Sequence, residues 1–186
     1  MTSLALAAVL LAQPSSAKGP QIVMTMKGNK QIVIQTNQGE SPKTVEHIVA
    51  LVKKKFYDGI RFHRVEDWVV QWGDPGTKKA LDGPEIGNGG SGKQMKFEGS
   101  KFDFKRGAVG IASTGSKVGG DSQIFILTKD SVRLNGMYAV LGWVTKGMDV
   151  VDKLKRGDTI VSMRVVIKPA PSKRPMKPAM KSASGR

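Results

Sequence analysis

The chain has 186 residues, of which 39% are hydrophobic and 24% are charged, a composition that predicts one globular domain with short extensions. It contains no cysteine, and this excludes disulfides, thiolate metal sites and cysteine nucleophiles. The formal net charge is +15, and six basic residues but no acidic residue lie between Lys168 and Arg186. Such a charge attracts nucleic acid, anionic lipid or acidic polymers without specificity, and it carries no information about the fold.

The first 17 residues have the pattern of a secretory signal peptide. Leu4 to Ala12 is an apolar run that is too short to span a bilayer as a helix. Ser15 and Ala17 follow where a cleavage site needs small residues, although Met1 to Ser3 lacks the usual basic residue. We therefore expect an exported or periplasmic protein. The alternative is an uncleaved apolar leader, or a misassigned start, on a cytoplasmic protein.

The next part of the chain predicts a hairpin followed by a helix. Residues 22–36 form two strand-like runs around a polar turn, as in a β-hairpin. Ser41 provides an N-cap and Pro42 a first helical residue. His47 falls off the apolar side of this helix, and we expect it at the surface. The apolar positions have the spacing of one buried face: Val45, Ile48, Val49 and Val52.

A central block predicts two short strands, 60–65 and 68–71, joined by Glu66–Asp67. Both runs are rich in β-branched and aromatic residues, which favour strands. Arg64 and Gln71 are polar side chains within this otherwise apolar block. A charged residue in a strand usually lies on the solvated face, and this interpretation of Arg64 stays open at this point.

The remaining pattern favours a mainly β fold. The glycine-rich segment 75–92 lacks the spacing of a phosphate-binding loop, and we expect an ordered surface loop. About eight strands with two separate helices favour a closed eight-stranded antiparallel β-barrel capped by two α-helices. We expect the basic tail 168–186 to be disordered. The C-terminal half contributes three strands, a short helix and a last strand: 107–113, 122–128, 138–144, 148–154 and 160–167.

Seven short sequences, in one order along the chain, resemble the cyclophilin-type peptidyl-prolyl cis–trans isomerases over roughly residues 21–166. They are Ser41–Val45, Phe56–Gly59, Phe62–Val65, Gln71–Asp74, Ser122–Ile126, Leu134–Gly136 and Val140–Gly142. The resemblance implies an eight-stranded barrel with two capping helices in a domain spanning 21–167, in agreement with the strand pattern. It also implies a monomeric enzyme without cofactor or metal that acts on proline-containing peptides and on unfolded or partly folded proteins.

The resemblance assigns the catalytic role to Arg64. Rotation about an X–Pro bond meets a barrier of about 18–20 kcal/mol because amide resonance must be broken. In the twisted state the prolyl nitrogen regains its lone pair, which a fixed cation with N–H donors binds better than the planar ground state. An arginine suits this role because it stays charged and its fork is rigid. His63 is interpreted as structural, because isomerisation requires no proton transfer and strand alternation points it away from Arg64.

The resemblance also implies the residues that bind substrate. Gln71 supports Arg64 and the substrate carbonyl, and Phe62 borders the site. The substrate backbone lies along Ala112, Ser113 and Gln123. The apolar members of the site are also expected in any barrel core, and the polar members as structural hydrogen-bonding groups, so both interpretations stay open. By the resemblance, Val69, Phe125 and Leu134 line the proline pocket and Trp68 forms its aromatic wall. Tyr138 stands where eukaryotic members carry a histidine and can likewise donate a hydrogen bond.

Two departures from the family pattern bear on function. Arg64 and Gln71 are seven residues apart, one fewer than the family usually has, and Glu66–Asp67 replaces its customary Pro-Gly turn, so we expect a tighter loop. Arg133 stands where cyclosporin-sensitive members carry tryptophan, which implies weak binding of that drug. A second function therefore stays open. The chain could be a catalytically weak cyclophilin-fold binding module whose basic surface and tail bind anionic partners.

Overall fold

The computed structural model describes residues 18–167, and the expectations for the leader and the basic tail lie outside this range. Within it, the helices are α1, Pro42–Lys53, and α2, Met148–Val151, with short 3-10 turns at Lys27–Asn29, Pro75–Lys78 and Val132–Leu134. No helix in these residues has both the length and the apolar character that crossing a bilayer requires. The strands are β1 Lys18–Met26, β2 Gln31–Asn37, β3 Arg64–Val65, β4 Val69–Trp72, β5 Ala108–Ile111, β6 Ile124–Leu127, β7 Val140–Lys146 and β8 Ile160–Val166.

The eight strands form one curled antiparallel sheet in the order β3-β4-β6-β5-β7-β2-β1-β8. The two edge strands, β3 and β8, do not pair with each other, so the prediction of a closed barrel is wrong and the sheet is a half-barrel. Strand β3 has only two residues, which pair with β4, and no ladder joins it to β8. A single isolated bridge, between Arg61 and Thr159, links the segments that precede these edges.

Helix α1 begins at Pro42, as predicted, but its N-terminus is capped by a distant side chain. The Ser41 hydroxyl makes no capping hydrogen bond. The Glu98 carboxylate instead accepts hydrogen bonds from the backbone N–H groups of Lys43, at 3.0 Å, and Thr44, at 2.7 Å. An acid at this end also suits the positive end of the helix dipole. The long loop before β5 is thereby tied to α1.

The sheet separates two apolar clusters. Along β4 and β6 successive side chains alternate between them, because neighbouring residues of a strand point to opposite faces. The larger cluster packs between the sheet and the helices and includes Ile22, Ile34, Ile48, Val70, Trp72 and Ile126. The smaller cluster lies on the other face and contains Val69, Phe104, Ala108, Phe125, Leu127 and Val140.

Candidate active site

The register of four strands brings Arg64, Gln71 and Phe125 together on one face of the sheet. Arg64 of β3 lies opposite Gln71 of β4, and Gln71 lies opposite Phe125 of β6. Phe125 in turn lies opposite Gly110 of β5. Directly paired residues project to the same face, which here is the face of the smaller cluster. The seven-residue spacing of Arg64 and Gln71 is thus accommodated by a tight hairpin.

This face carries a cavity of about 180 Å³. It has a mixed lining, with an apolar wall and a polar rim that includes a guanidinium. Nine of the residues predicted for the site meet around it, although they come from strands and loops far apart in the chain. They are Arg64, Trp68, Val69, Gln71, Ala112, Ser113, Phe125, Leu134 and Tyr138.

Phe125 forms a rigid wall of this cavity. Its side chain is 5% exposed, and its ring centroid lies 5.8 Å from that of Phe104, with the rings stacked. Tyr138 meets the Phe125 ring edge-on, with centroids 5.7 Å apart. A Cβ at Gly110 would lie 2.3 Å from the Phe125 ring, so this ring position requires a glycine on the neighbouring strand.

Phe62 does not line the cavity, and the prediction that it borders the site is wrong. Its side chain is 0% exposed and packs in the core against Trp72, with ring centroids 5.3 Å apart. Strand alternation would place it on the same face as Arg64, but β3 begins only at Arg64. The Phe62 backbone instead bonds to residues 157–158, at 2.9–3.0 Å, and this directs the ring into the core.

Gln123 lies one step from the cavity and connects it to the glycine-rich loop. Its Oε1 accepts a hydrogen bond of 2.8 Å from Nε2 of Gln71. Its own Nε2 donates to the carbonyl oxygens of Gly87, at 2.7 Å, and Gly89, at 2.8 Å. The side-chain amide of Gln71 is thereby held in a fixed orientation below Arg64.

Arg64 is held on two sides. Its Nε and Nη2 donate to the two carboxylate oxygens of Glu66, at 2.7 and 3.2 Å, while Nη1 lies 3.4 Å from Oε1 of Gln71. Its guanidinium also lies 5.3 Å from the centroid of the Trp68 ring. Hydrogen bonding to Arg64 lowers the pKa of Glu66. Sequence reasoning missed Glu66, although an acid two residues after the arginine in a tight turn is the signal that could have found it.

A second cavity, of about 600 Å³, adjoins the first and shares Gln71, Ala112 and Ser113 with it. Its outer wall is the glycine-rich loop, which hydrogen bonds hold in place. The Asp121 carboxylate accepts hydrogen bonds from the backbone N–H groups of Gly92, at 2.9 Å, and Lys93, at 3.2 Å. Asp121 also lies 3.1 Å from Nε2 of His47, whose side chain is 9% exposed. The expectation that His47 lies at the surface is therefore wrong, because the loop carrying Asp121 covers it.

His63 lies outside the cavity lining. Both of its ring nitrogens are buried and have no hydrogen-bond partner within residues 18–167. Burial lowers the pKa of His63, and the nearby Asp74 carboxylate opposes that shift. A partly buried imidazole outside the cavity lining is consistent with a structural role for this residue. Throughout residues 18–167, no group of three His, Asp or Glu side chains is placed to hold a metal ion.

These features define a small β protein that can bind a compact apolar ring beside a fixed guanidinium. A sequence model described as cyclophilin type peptidyl-prolyl cis-trans isomerase/CLD matches residues 21–176. A probable peptidyl-prolyl cis-trans isomerase of Brucella abortus is 36% identical over 151 residues, which cover 78% of this chain and 77% of the relative. Peptidyl-prolyl cis-trans isomerase B of Bacillus subtilis is 36% identical over 142 residues, 74% of this chain and 92% of the relative. The chain therefore belongs to the cyclophilin-type peptidyl-prolyl cis-trans isomerase family.

Solved structures support the fold assignment. The crystal structure of a cyclophilin type peptidyl-prolyl cis-trans isomerase from Cryptosporidium parvum matches with a TM-score of 0.68 over 81% of this chain and 99% of that chain. A structure of that protein in the presence of the dipeptide Ala-Pro matches with a TM-score of 0.65 over 80% of this chain and 99% of that chain. Both are 20% identical in sequence, so this likeness concerns the fold alone.

Proposed function

We propose that the chain is a peptidyl-prolyl cis–trans isomerase that accelerates rotation about X–Pro bonds, with Arg64 as its catalytic residue. The observation that carries this proposal is a guanidinium held at the rim of a cavity of about 180 Å³ with an apolar wall. The proline ring binds against Phe125, and the amide bond that must rotate then lies beside Arg64. The family to which the chain belongs supports the same reaction.

The catalysis follows from the change in the prolyl nitrogen. In the planar amide its lone pair is delocalised, whereas in the twisted state the lone pair is localised and accepts a hydrogen bond from Arg64. A hydrogen bond to a charged group contributes about 1.5–3 kcal/mol, which corresponds to roughly tenfold to hundredfold in rate. The bonds from Arg64 to Glu66 and Gln71 fix the guanidinium before substrate arrives, so little reorganisation is needed during the reaction.

NMR exchange spectroscopy on a short Ala-Pro peptide tests this function. We expect the wild-type protein to accelerate cis–trans exchange and Arg64→Ala to reduce kcat/KM about tenfold to hundredfold. Arg106→Ala is the matched control, because Arg106 also forms a two-point ion pair and its side chain is 44% exposed against 41% for Arg64. That variant should keep the wild-type rate. Equal rates for wild type and Arg64→Ala would exclude the assigned role.

The second candidate function is a catalytically weak binding module. The specific observation in its favour is the ion pair between Arg64 and Glu66, at 2.7 Å, because the carboxylate offsets part of the charge that the reaction needs. Calorimetric binding of the same peptide distinguishes the two functions. A wild-type protein that binds the peptide without accelerating its exchange is a binding module.

We propose in addition that the protein is exported and assists, as a monomer, the folding of exported proteins. Support comes from the apolar run Leu4 to Ala12 and the small residues before Lys18. N-terminal sequencing of the protein from a periplasmic or secreted fraction is the direct test. A mature chain that begins at Lys18 supports export, and a cytoplasmic chain that retains Met1 contradicts it.

A further inference from the structure

Two arginines contact the same aromatic ring at the rim of the proline cavity. The guanidinium of Arg64 lies 5.3 Å from the Trp68 ring centroid, and the guanidinium of Arg133 lies 4.8 Å from it. Trp68 itself lines the cavity, as does Leu134, the residue after Arg133. Contact with the ring restricts the Arg133 side chain and leaves the edge of its guanidinium available, since cation–π contact uses the flat face.

The charges around this ring are unevenly compensated. Glu66 pairs with Arg64 at 2.7 Å, and the other acid of the same turn, Asp67, pairs with Lys129 at 2.8 Å. Arg133 is exposed, and within residues 18–167 no carboxylate lies within 4.0 Å of it. The leader and the tail contain no Asp or Glu. The rim of the cavity therefore carries one uncompensated positive charge.

This charge lies beside the part of the first cavity that is not shared with the second. The first cavity shares Gln71, Ala112 and Ser113 with the larger second cavity. Trp68 and Leu134, beside Arg133, belong to the part of the lining that is not shared. A peptide whose proline occupies the first cavity can extend one flank into the second cavity, and its other flank then leaves across the Trp68 side.

We infer that Arg133 makes this site selective for proline peptides that carry an acidic side chain on the flank crossing Trp68. The inference rests on the proposed isomerase function and adds its substrate class. The carboxylate of such a peptide accepts hydrogen bonds from the free edge of the Arg133 guanidinium, which is planar and presents two parallel donors. A lysine or an apolar residue at the same place gains nothing from this contact.

The expected preference is modest in size and sensitive to salt. Exposed ion pairs contribute about 0.2–1 kcal/mol, so glutamate should be preferred to glutamine by about 1.4-fold to fivefold. The preference should appear in KM rather than in kcat, because Arg133 contacts a flank of the peptide and not the rotating bond. It should also shrink as ionic strength rises, since exposed charges are screened.

The experiment compares peptides that differ only in Glu or Gln, placed one or two residues before or after the proline, by NMR exchange spectroscopy. We expect wild type to prefer glutamate on one side of the proline, and Arg133→Glu to prefer glutamine there. Lys153→Glu is the matched control, because it makes the same change in net charge outside the proline cavity. It should retain the wild-type preference.

The inference would be overturned if wild type had the same kcat/KM for the Glu and Gln peptides at positions both before and after the proline. It would also be overturned if Arg133→Glu left the Glu-to-Gln ratio of kcat/KM unchanged. The exchange rates of the glutamine peptides test the isomerase activity independently of the preference for glutamate. If they are accelerated and the ratio is one, the selectivity is excluded while the enzyme stands. If no peptide is accelerated, the enzyme is excluded, and the dissociation constants of the same peptide pairs decide whether Arg133 selects acidic sequences.

Discussion

Glu66 is placed to act on Arg64 without touching substrate. Its two carboxylate oxygens accept hydrogen bonds from Nε and Nη2 of Arg64, and it does not line the cavity. The remaining donor, Nη1, is left on the side of Gln71. A long, flexible side chain loses rotamer freedom when it is held at two points. Glu66 is therefore a positioning residue for Arg64.

We expect Glu66→Gln to lower kcat by about twofold to fivefold, because an amide oxygen replaces the two-point, charge-assisted bond with one weaker bond. KM should change little, since Glu66 makes no contact with the cavity. Exchange spectroscopy on the Ala-Pro peptide measures both constants. Asp67→Asn is the control, because Asp67 binds Lys129 instead of Arg64, and it should behave as wild type. Activity in Glu66→Gln above that of wild type would show that the carboxylate weakens the arginine instead of positioning it.

At the same scale, the sequence predicted which residues meet around the cavity better than it predicted the orientation of each side chain. Nine residues predicted from the resemblance meet around the cavity, four of them within the family motifs and five at positions matched between the motifs. Phe62 was assigned wrongly because the resemblance supplied a residue type and a position, whereas the orientation of its ring depends on backbone bonds to residues 157–158. The roles of Glu66 and Arg133 depend on how a tight turn folds back onto Trp68, and residue spacing alone does not specify that contact.

Among the structural elements, the glycine-rich loop is anchored to a buried carboxylate, that of Asp74, in addition to Asp121. Asp74 is 1% exposed and accepts backbone N–H groups of Gly76, Gly87 and Gly89 at 2.7, 2.6 and 3.2 Å. A Cβ at Gly89 would lie 2.3 Å from Oδ1 of Asp74. The backbone can therefore approach the Asp74 carboxylate this closely only because residue 89 is a glycine. The same loop supplies the carbonyl oxygens that orient Gln123. Asp74 therefore links the stability of the loop to the geometry of the site.

Replacing Asp74 with Asn should lower the free energy of unfolding by about 1–3 kcal/mol. The amide keeps the shape but presents N–H donors to backbone donors, and a buried group left unsatisfied costs about 1–3 kcal/mol. Urea unfolding followed by tryptophan fluorescence measures the change. Asp82→Asn is the control on the same loop, because Asp82 is 87% exposed and forms only a surface ion pair with Arg156, and its effect should be below about 1 kcal/mol. An Asp74→Asn protein as stable as wild type would contradict the dependence on charge.

The sequence predicted the types of the helices and strands more reliably than their end points or the closure of the barrel. The hairpin at 22–36 and helix α1 are found where periodicity and turn residues predicted them. Helix α2 ends at Val151 and not at Leu154, because the backbone N–H groups of Lys153 and Leu154 bond three residues back, as in a 3-10 turn. Closure of the barrel depends on the pairing of β3 with β8, which is a long-range contact that local patterns do not encode.

At the scale of the whole molecule, positive charge is unevenly placed along the chain. The net charge is +15, and six of the 30 basic residues lie in the tail 168–186. The family match covers residues 21–176, so about half of this tail lies beyond it. We propose that the tail binds anionic polymers or surfaces and thereby places the enzyme near its substrates. Binding of this kind releases condensed counterions and so weakens steeply with salt.

A full-length variant in which the six basic residues of the tail are replaced by glutamine tests this proposal. Its binding to heparin, measured between low and physiological salt, should be weaker than that of wild type and should depend less on salt, because each lost cation removes a counterion-releasing contact. Exchange of the Ala-Pro peptide should be unchanged, since the residues that line the cavity lie between Arg64 and Tyr138. A chain ending at Ile167 should match the glutamine variant in both measurements, which separates the charge of the tail from its length. Heparin binding and a salt slope equal to those of wild type would assign the interaction to the basic surface of the domain instead.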